Sequence, residues 1–409
     1  MKSTNRWMYM VTGLIIMLLA GFVYAWSVMA KPIAASRPEW NAAQLSFTFT
    51  LSMIFFCIGG LAAGFIGKKI NTKIYIICAS LLILSGFWLS GSTNQSITCL
   101  YLGFGIVAGF GAGLVYNVVM STLSAWFPDK HGMISGVMMM GFGISSFLIG
   151  KVYAAVTPAD GGDGWKITFR VMGMVIFIVV FICGCILKRP DADYVPKNGC
   201  KKNNFREPAL EVGPGKMLKM PVFWLYYSWA VLIGSAGMAI ISQARGIASE
   251  VGPTISDGNI ATVVGILSLF NGIGRVLFGT LYDKKGYKCT MISDMCIYIV
   301  TVMVILTALR TGKFWLIVIG FVIGGISKGG LTPLQSALIS DFFGRKNYSR
   351  NFAVVSTTLI ISSVTSTISG RLVDLTGSYF STVCMGLGFL IVSFVISFAV
   401  RRPEYNESK

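Results

Sequence analysis

The sequence predicts an all-α membrane protein of twelve transmembrane helices in two six-helix bundles. Three observations lead there. Of the 409 residues, 54% are hydrophobic and 12% charged, against about 45–50% and about 25% in an ordinary soluble domain. Mean hydropathy is +0.72. Apolar runs near the ~20 residues that cross a bilayer recur along the whole chain, and short loop signatures repeat between its two halves. This composition excludes a soluble globular enzyme, a disordered chain and a fibrous protein. The net charge of +18, from 34 Lys+Arg against 16 Asp+Glu, would suggest nucleic acid in a soluble protein. Here it first means basic cytoplasmic loops, and no nucleic-acid partner is expected. The nine cysteines do not imply disulfides. Cys57, Cys78, Cys183, Cys185, Cys296 and Cys384 all lie inside apolar runs, where thiols behave as small hydrophobes.

Each run must be helical, because an apolar run of this length satisfies its own backbone polar groups in lipid only as a helix. The run 8–30 is too long for a signal-peptide core, is followed by Lys31-Pro32 and lacks a small-residue cleavage site, so it is helix 1. Runs 46–67 and 74–92 flank a basic segment that holds Lys68, Lys69 and Lys73. Run 97–123 carries Gly103, Gly105, Gly109, Gly111 and Gly113, at spacings that let helices approach closely. Runs 133–157 and 167–188 complete the first six. A polar stretch from Leu187 to Lys219 follows, with Pro190, Asp191, Asp193, Lys197, Glu211 and Pro214 among its residues. It reads as a flexible cytoplasmic linker with an interfacial segment. The expected organisation is a bundle over 1–188, a linker over 189–219 and a bundle over 220–409. Run 220–246 opens on Trp224, Tyr226, Tyr227 and Trp229, which read as an interfacial aromatic belt. Runs 260–280, 290–310, 314–338, 351–373 and 380–400 complete the second six. The placement of Lys and Arg puts both termini and the loops from even to odd helices on the cytoplasmic side of the plasma (inner) membrane.

The halves repeat two signatures. Gly64-Phe-Ile-Gly-Lys68-Lys69-Ile-Asn71-Thr-Lys73 follows helix 2, and Gly279-Thr-Leu-Tyr-Asp283-Lys284-Lys285-Gly286-Tyr-Lys288 follows helix 8. Trp126-Phe-Pro-Asp129-Lys130 follows helix 4, and Asp341-Phe-Phe-Gly344-Arg345-Lys346 follows helix 10. A duplicated six-helix unit implies a substrate site near the midplane between two bundles. Once the Lys and Arg assigned to the inner and outer loops and helix ends are set aside, two remain within spans, Arg275 and Lys328. A charge there costs roughly 2.5–3.5 kcal/mol on insertion scales and needs compensation. The sixteen carboxylates all read as loop or helix-end residues, Asp294 among those near inner ends. The compensating group is then expected to be the substrate itself, a carboxylate held by the guanidinium through two parallel hydrogen bonds. Snorkelling to the interface is the competing reading for both cations. No metal or cofactor motif and no enzyme constellation is present in the sequence.

The Gly279–Lys288 segment resembles the loop signature of the major facilitator superfamily, and the chain is expected to share that fold. The first copy departs from the pattern, with Lys68 where Asp is usual and Asn71 where Gly is. A finer resemblance covers nearly the whole chain. Asn5-Arg6-Trp7, Tyr24-Ala-Trp26-Ser-Val with Pro32, Gly111-Ala-Gly-Leu-Val-Tyr116-Asn117, Phe223-Trp-Leu with Gln243, and Phe270-Asn271-Gly-Ile-Gly-Arg275 look like the oxalate/formate antiporter family. Monocarboxylate transporters share the helix 8 arginine.

The resemblance implies a transporter of small carboxylate anions, working by alternating access as a monomer in the lipid bilayer. Arg275 is the expected anion anchor. The family's second cation, a lysine on helix 11, aligns near Leu359, where this sequence departs. Lys328, among Gly324, Gly325, Gly329 and Gly330, is expected to restore that charge from helix 10. Tyr116, Tyr24 and Trp26 are expected in the pocket wall, with Phe142 where the family often has another tyrosine. Asp283 and Lys284 are expected at the cytoplasmic gate and Gln243 at the outer mouth. Asn271 stands where proton-coupled monocarboxylate carriers have Asp. Asparagine cannot titrate, and the one histidine, His131, reads as a loop residue. With no buried carboxylate or histidine left for a proton relay, anion exchange is expected. A proton-linked or facilitated transporter of lactate- or pyruvate-like monocarboxylates is the alternative.

Overall fold

The computed structural model describes residues 6–40, 42–66, 71–93, 96–157, 162–190 and 208–403. Among them are twelve helices long and apolar enough to cross a membrane, and no strand. Helix α1 starts as Arg6–Ala20, tightens through a 3₁₀ turn at Gly21–Ala25 and continues as Trp26–Ser36. Then come α2 (Ala42–Ile66) and α3 (Thr72–Ser90). Helix α4 contains a π-helical stretch, Tyr101–Ala108, before Gly109–Trp126. Helices α5 (His131–Val156) and α6 (Gly164–Ile186) complete the first half. The second half holds α7 (Pro221–Val251), α8 (Asp257–Lys285), α9 (Tyr287–Thr311) and α10 (Phe314–Phe343). Helix α11 is broken at Thr357 into Tyr348–Ser356 and Thr358–Thr376, and α12 is Phe380–Ala399.

The chain divides into two units. One comprises residues 1–128, 141–200 and 352–354, the other 129–140, 201–351 and 355–409. The division therefore falls inside α5, whose first ten residues cluster with the second unit.

In the first unit the glycines of α4 sort by face. A Cβ on Gly109 or Gly113 would strike the α2 backbone at Ser52 or Phe56, whereas one on Gly111 or Gly103 would strike α3 near Ala79 or Gly86. Residues four apart share a helix face, so one glycine-rich helix approaches two neighbours closely. Aromatic rings fill the remaining space, with Phe87 centred 4.9 Å from Phe22 and 5.6 Å from Phe104. At the loop before α6, Asp163 gathers Lys166 at 2.8 Å and Arg37 at 3.1 Å. The Lys166 hydrogen bond, with help from both positive charges, holds the Asp163 carboxyl below its usual range.

In the second unit, Gly286 joins α8 to α9 at φ 82°, a left-handed conformation that favours glycine. The equivalent turn after α10 uses Gly344 at φ 95°. Lys288 donates to the carbonyls of Ser397, Phe398 and Val400 at 2.9, 2.8 and 3.2 Å. A cation thus meets the negative end of α12.

Two sequence expectations change here. Residues 191–207 and the basic segment 67–70 lie outside the described residues, but the end of the expected linker is anchored. Ala209 and Val212 donate to the carbonyls of Asp341 and Phe343. The Glu211 carboxylate accepts the Arg345 and Lys346 backbone N–H groups at 2.9 and 3.0 Å. Residues 209–212 therefore brace the α10–α11 turn. The aromatic belt also fails for two of its members. Tyr226 and Trp229 are fully buried, while Trp224 is 51% exposed. Positions 226, 229, 230 and 233 share the inner face of α7, and hydrophobicity alone does not distinguish that face from an interfacial one.

Candidate functional site

Helices α8 and α10 carry the two cations, and glycine sets how closely they meet. A Cβ on Gly274 would overlap the Ile326 carbonyl, and one on Gly329 would overlap the Asn271 carbonyl. Gly325 faces the Leu267 carbonyl in the same way. This stripe of small residues locks the two backbones together. It brings the part-buried Arg275 and Lys328 close enough for their like charges to act on each other.

Both cations have partners. Asn271, one turn before Arg275, accepts its Nε–H at 3.1 Å, and Nη1 donates to the Met139 carbonyl. These two neutral acceptors orient the Arg275 guanidinium. Asn271, expected from the sequence among the substrate-binding residues, holds the Arg275 side chain in place here. Lys328 Nζ donates to the Gly234 carbonyl of α7 at 3.3 Å.

The sequence reading missed an acid. Asp294 lies seven residues beyond the first residue of α9, and it is fully buried. Its Oδ1 accepts from Ser327 at 2.7 Å, and its charge and that of Lys328 act on each other. The expectation that no acid reaches the cations is therefore corrected. Distance from a helix end does not fix the burial of Asp294. Burial depends on what packs around that end, here α10 and its glycines. The available signal was an acid inside an apolar run, which demands a partner. His131 likewise belongs to the first turn of α5 and is 7% exposed, so it is not a loop residue.

In the first unit, Tyr24, Tyr116 and Phe142 form one aromatic cluster. The Phe142 ring lies 5.4 Å from Tyr24 and 5.1 Å from Tyr116. Phe56 joins it at 5.2 Å from Tyr116, and Phe352 stacks on Tyr116 at 6.1 Å. Neither phenylalanine was singled out by motif. Trp26 does not join this cluster. It is 4% exposed, its Nε1–H is taken by the Leu45 carbonyl at 2.9 Å, and it packs on Phe104 at 4.7 Å. Its one donor is spent inside the unit, so Trp26 is removed from the pocket wall.

Asp283 accepts the Gly132 and Met133 backbone N–H groups at 2.9 and 2.8 Å, satisfying donors that the start of α5 cannot satisfy internally. Lys284 is exposed in the last turn of α8. Asp283→Ala is expected to cost about 1 kcal/mol, the scale of a lost helix cap, read as a lower melting temperature in detergent. Asp283→Asn, which keeps an acceptor, should lose less. Gln243 lines an open cavity of about 660 Å³ with Ser242, Arg245, Glu250 and Tyr379. That cavity is remote in sequence from Arg275 and Lys328.

Twelve spans, paired loop signatures and a cationic helix pair set in glycine define a membrane carrier. The chain belongs to the Major Facilitator Superfamily, whose profile matches residues 9–357 and, in a second overlapping match, 246–409. It is a multi-pass membrane transporter and not an enzyme. It is 26% identical over 350 residues to the oxalate:formate antiporter of Oxalobacter formigenes, covering 85% of this chain and 80% of that one. It is 25% identical over 374 residues to monocarboxylate transporter 12-B of Danio rerio, covering 83% and 75%. Among solved structures, a proton:xylose symporter superposes with a TM-score of 0.73 at 12% identity, covering 98% of each chain. That likeness speaks for the fold alone.

Proposed function

We propose that this protein carries small carboxylate anions across the plasma (inner) membrane by alternating access, exchanging one anion for another. It acts as a monomer with both termini in the cytoplasm, a six-helix bundle on each side of the 189–219 stretch. Arg275 is the principal anchor, gripping a carboxylate as a planar fork. Lys328 supplies a second, more compact charge. Tyr24 and Tyr116 offer hydroxyl donors from rings that also exclude water, and Phe142 fills the space beside them. Asp283, Lys284 and Gln243 act in gating. The observation that carries this reading is the Arg275–Lys328 pair, held on interlocked helices close enough to repel. An anion offsets that repulsion, and an empty site retains it, which favours exchange over net movement. The likeness to an oxalate:formate antiporter and to monocarboxylate transporters supports the substrate class.

Counterflow in proteoliposomes tests the proposal. Vesicles loaded with a C1–C4 carboxylate should take up a labelled carboxylate without any pH gradient. If no carboxylate drives counterflow, the proposal fails. Proton-linked monocarboxylate transport is a second reading, and one observation favours it. Asp294 supplies the buried titratable group that Asn271 does not. Uptake that follows an imposed pH gradient and shows no trans-stimulation would select that reading.

A further inference from the structure

Asp294 sits in an unusual hydrogen-bond arrangement. Ser327 Oγ lies 2.7 Å from Asp294 Oδ1 and 3.0 Å from the Asp294 backbone carbonyl oxygen. Both residues are fully buried. A serine hydroxyl has one proton to donate. With an ionised carboxylate, that proton serves one of the two contacts and leaves the other as two oxygens facing each other. With a proton on Oδ1, both contacts become hydrogen bonds. Oδ1–H donates to Ser327 Oγ, and Ser327 Oγ–H donates to the Asp294 carbonyl. The other carboxyl oxygen, Oδ2, is buried without a hydrogen-bond partner. That is costly for a carboxylate and far cheaper for the carbonyl of a neutral acid. The geometry has a place for one more proton than an ionised Asp294 provides.

The surroundings determine what that proton controls. Among the described residues, the charged or titratable groups that act on Asp294 are Lys328 from α10 and Tyr298 from α9 itself. Helix α8 presents the Phe278 ring across Gly330. Helix α12 carries no charged residue, and those of α7, Arg245 and Glu250, lie in its last turns. Lys328 in turn feels Arg275 and Asp294. Three groups therefore share one balance: two cations and an acid.

We infer that Asp294 is a proton site that sets how much positive charge Arg275 and Lys328 present, and thereby whether the carrier prefers a doubly or a singly charged carboxylate. This rests on the carboxylate-transport reading above. With Asp294 neutral, the cations present two charges and suit a dicarboxylate. Deprotonation breaks the Oδ1–H bond, leaves its electron pair on the carboxylate and passes the proton to water. Asp294 then serves as counter-ion to Lys328. One net charge remains, centred on Arg275, and suits a monocarboxylate.

The test measures competition by oxalate and by formate for counterflow, from acid to alkaline pH, in wild type and in Asp294→Asn. The wild-type preference for oxalate is expected to fall about tenfold as the pH rises, the scale of one unit charge near a screened site. Asp294→Asn should hold the high oxalate preference throughout, although the substrates titrate identically in both experiments. An Asp294→Asn protein that follows the wild-type pH curve overturns the inference. A second readout needs no substrate and no variant of full activity. Infrared difference spectra across the same pH range should show a protonated-carboxyl C=O band lost on raising pH in wild type and in Asp294→Glu, and missing from Asp294→Asn. The same band in Asp294→Asn, or none in wild type, also overturns it. If the band behaves as expected but neither anion exchanges at any pH, the proton site stands. The carboxylate reading, with the selectivity built on it, then fails.

Discussion

Arg275→Ala is expected to lose carboxylate counterflow by about a hundredfold or more while the protein still folds. Removing one partner of a desolvated, hydrogen-bonded charge pair costs about 2–5 kcal/mol. At about 1.4 kcal/mol per tenfold, that spans roughly thirty- to several-thousandfold. The effect on stability should be much smaller. Arg275 is braced by Asn271 and the Met139 carbonyl, and losing a neutral acceptor's partner costs about 1–3 kcal/mol at most. Removing a part-buried charge from its like-charged neighbour Lys328 returns some of that. Arg275→Lys separates charge from shape. It keeps a cation but loses the fork and the Nε bond to Asn271, so it should fall between wild type and Ala. Lysine and arginine are not equivalent at a bidentate site. Counterflow rates beside melting temperatures in detergent measure both effects. Wild-type exchange by Arg275→Ala would remove Arg275 from the substrate site.

Gly329→Leu is expected to be lost at the level of folding. The space a Cβ would need at 329 is occupied by the Asn271 carbonyl and the Arg275 backbone nitrogen. These are backbone atoms within a helix, so no rotamer change makes room. The α8–α10 pair would have to separate, breaking the contacts of Gly274 with Ile326 and of Gly325 with Leu267 along the same seam. Inserting extra methylenes into a packed core typically costs about 1–3 kcal/mol, even where side chains can shift. Leucine adds four carbons and should leave little monodisperse protein on size exclusion. Gly329→Ala should survive with a lowered melting temperature. Gly388→Ala is the control. Nothing lies within 4 Å of a Cβ there, so it should be neutral or slightly stabilising, because alanine outranks glycine in a helix. Equal behaviour of the Gly329 and Gly388 variants would refute the close seam.

Arg275 was legible in the sequence because a charge inside an apolar run is rare and costly, and its neighbours matched a known family motif. The α4 glycines were legible as packing residues by their spacing. Their division between α2 and α3 was not, because spacing names a face and not its neighbour. Tyr226 and Trp229 were misplaced for a related reason, since aromatic residues suit both a headgroup layer and a bundle interior. Asp294 was misplaced because helix-end distance stood in for burial.

The class of molecule can be read from the letters alone. Twelve apolar runs must be helices in a bilayer, since a run of that length satisfies its backbone there only as a helix, and the repeated signatures read as two sets of six. The sequence also singled out Arg275 and Lys328 as the basic residues to explain. The tertiary structure decided how those cations are balanced. Glycine seams bring α8 against α10, and Ser327 holds Asp294 buried beside Lys328. Charge is a property of a residue and can be read from its letter. Compensation is a property of distance, and residues 275, 294 and 328 acquire theirs only when three helices pack.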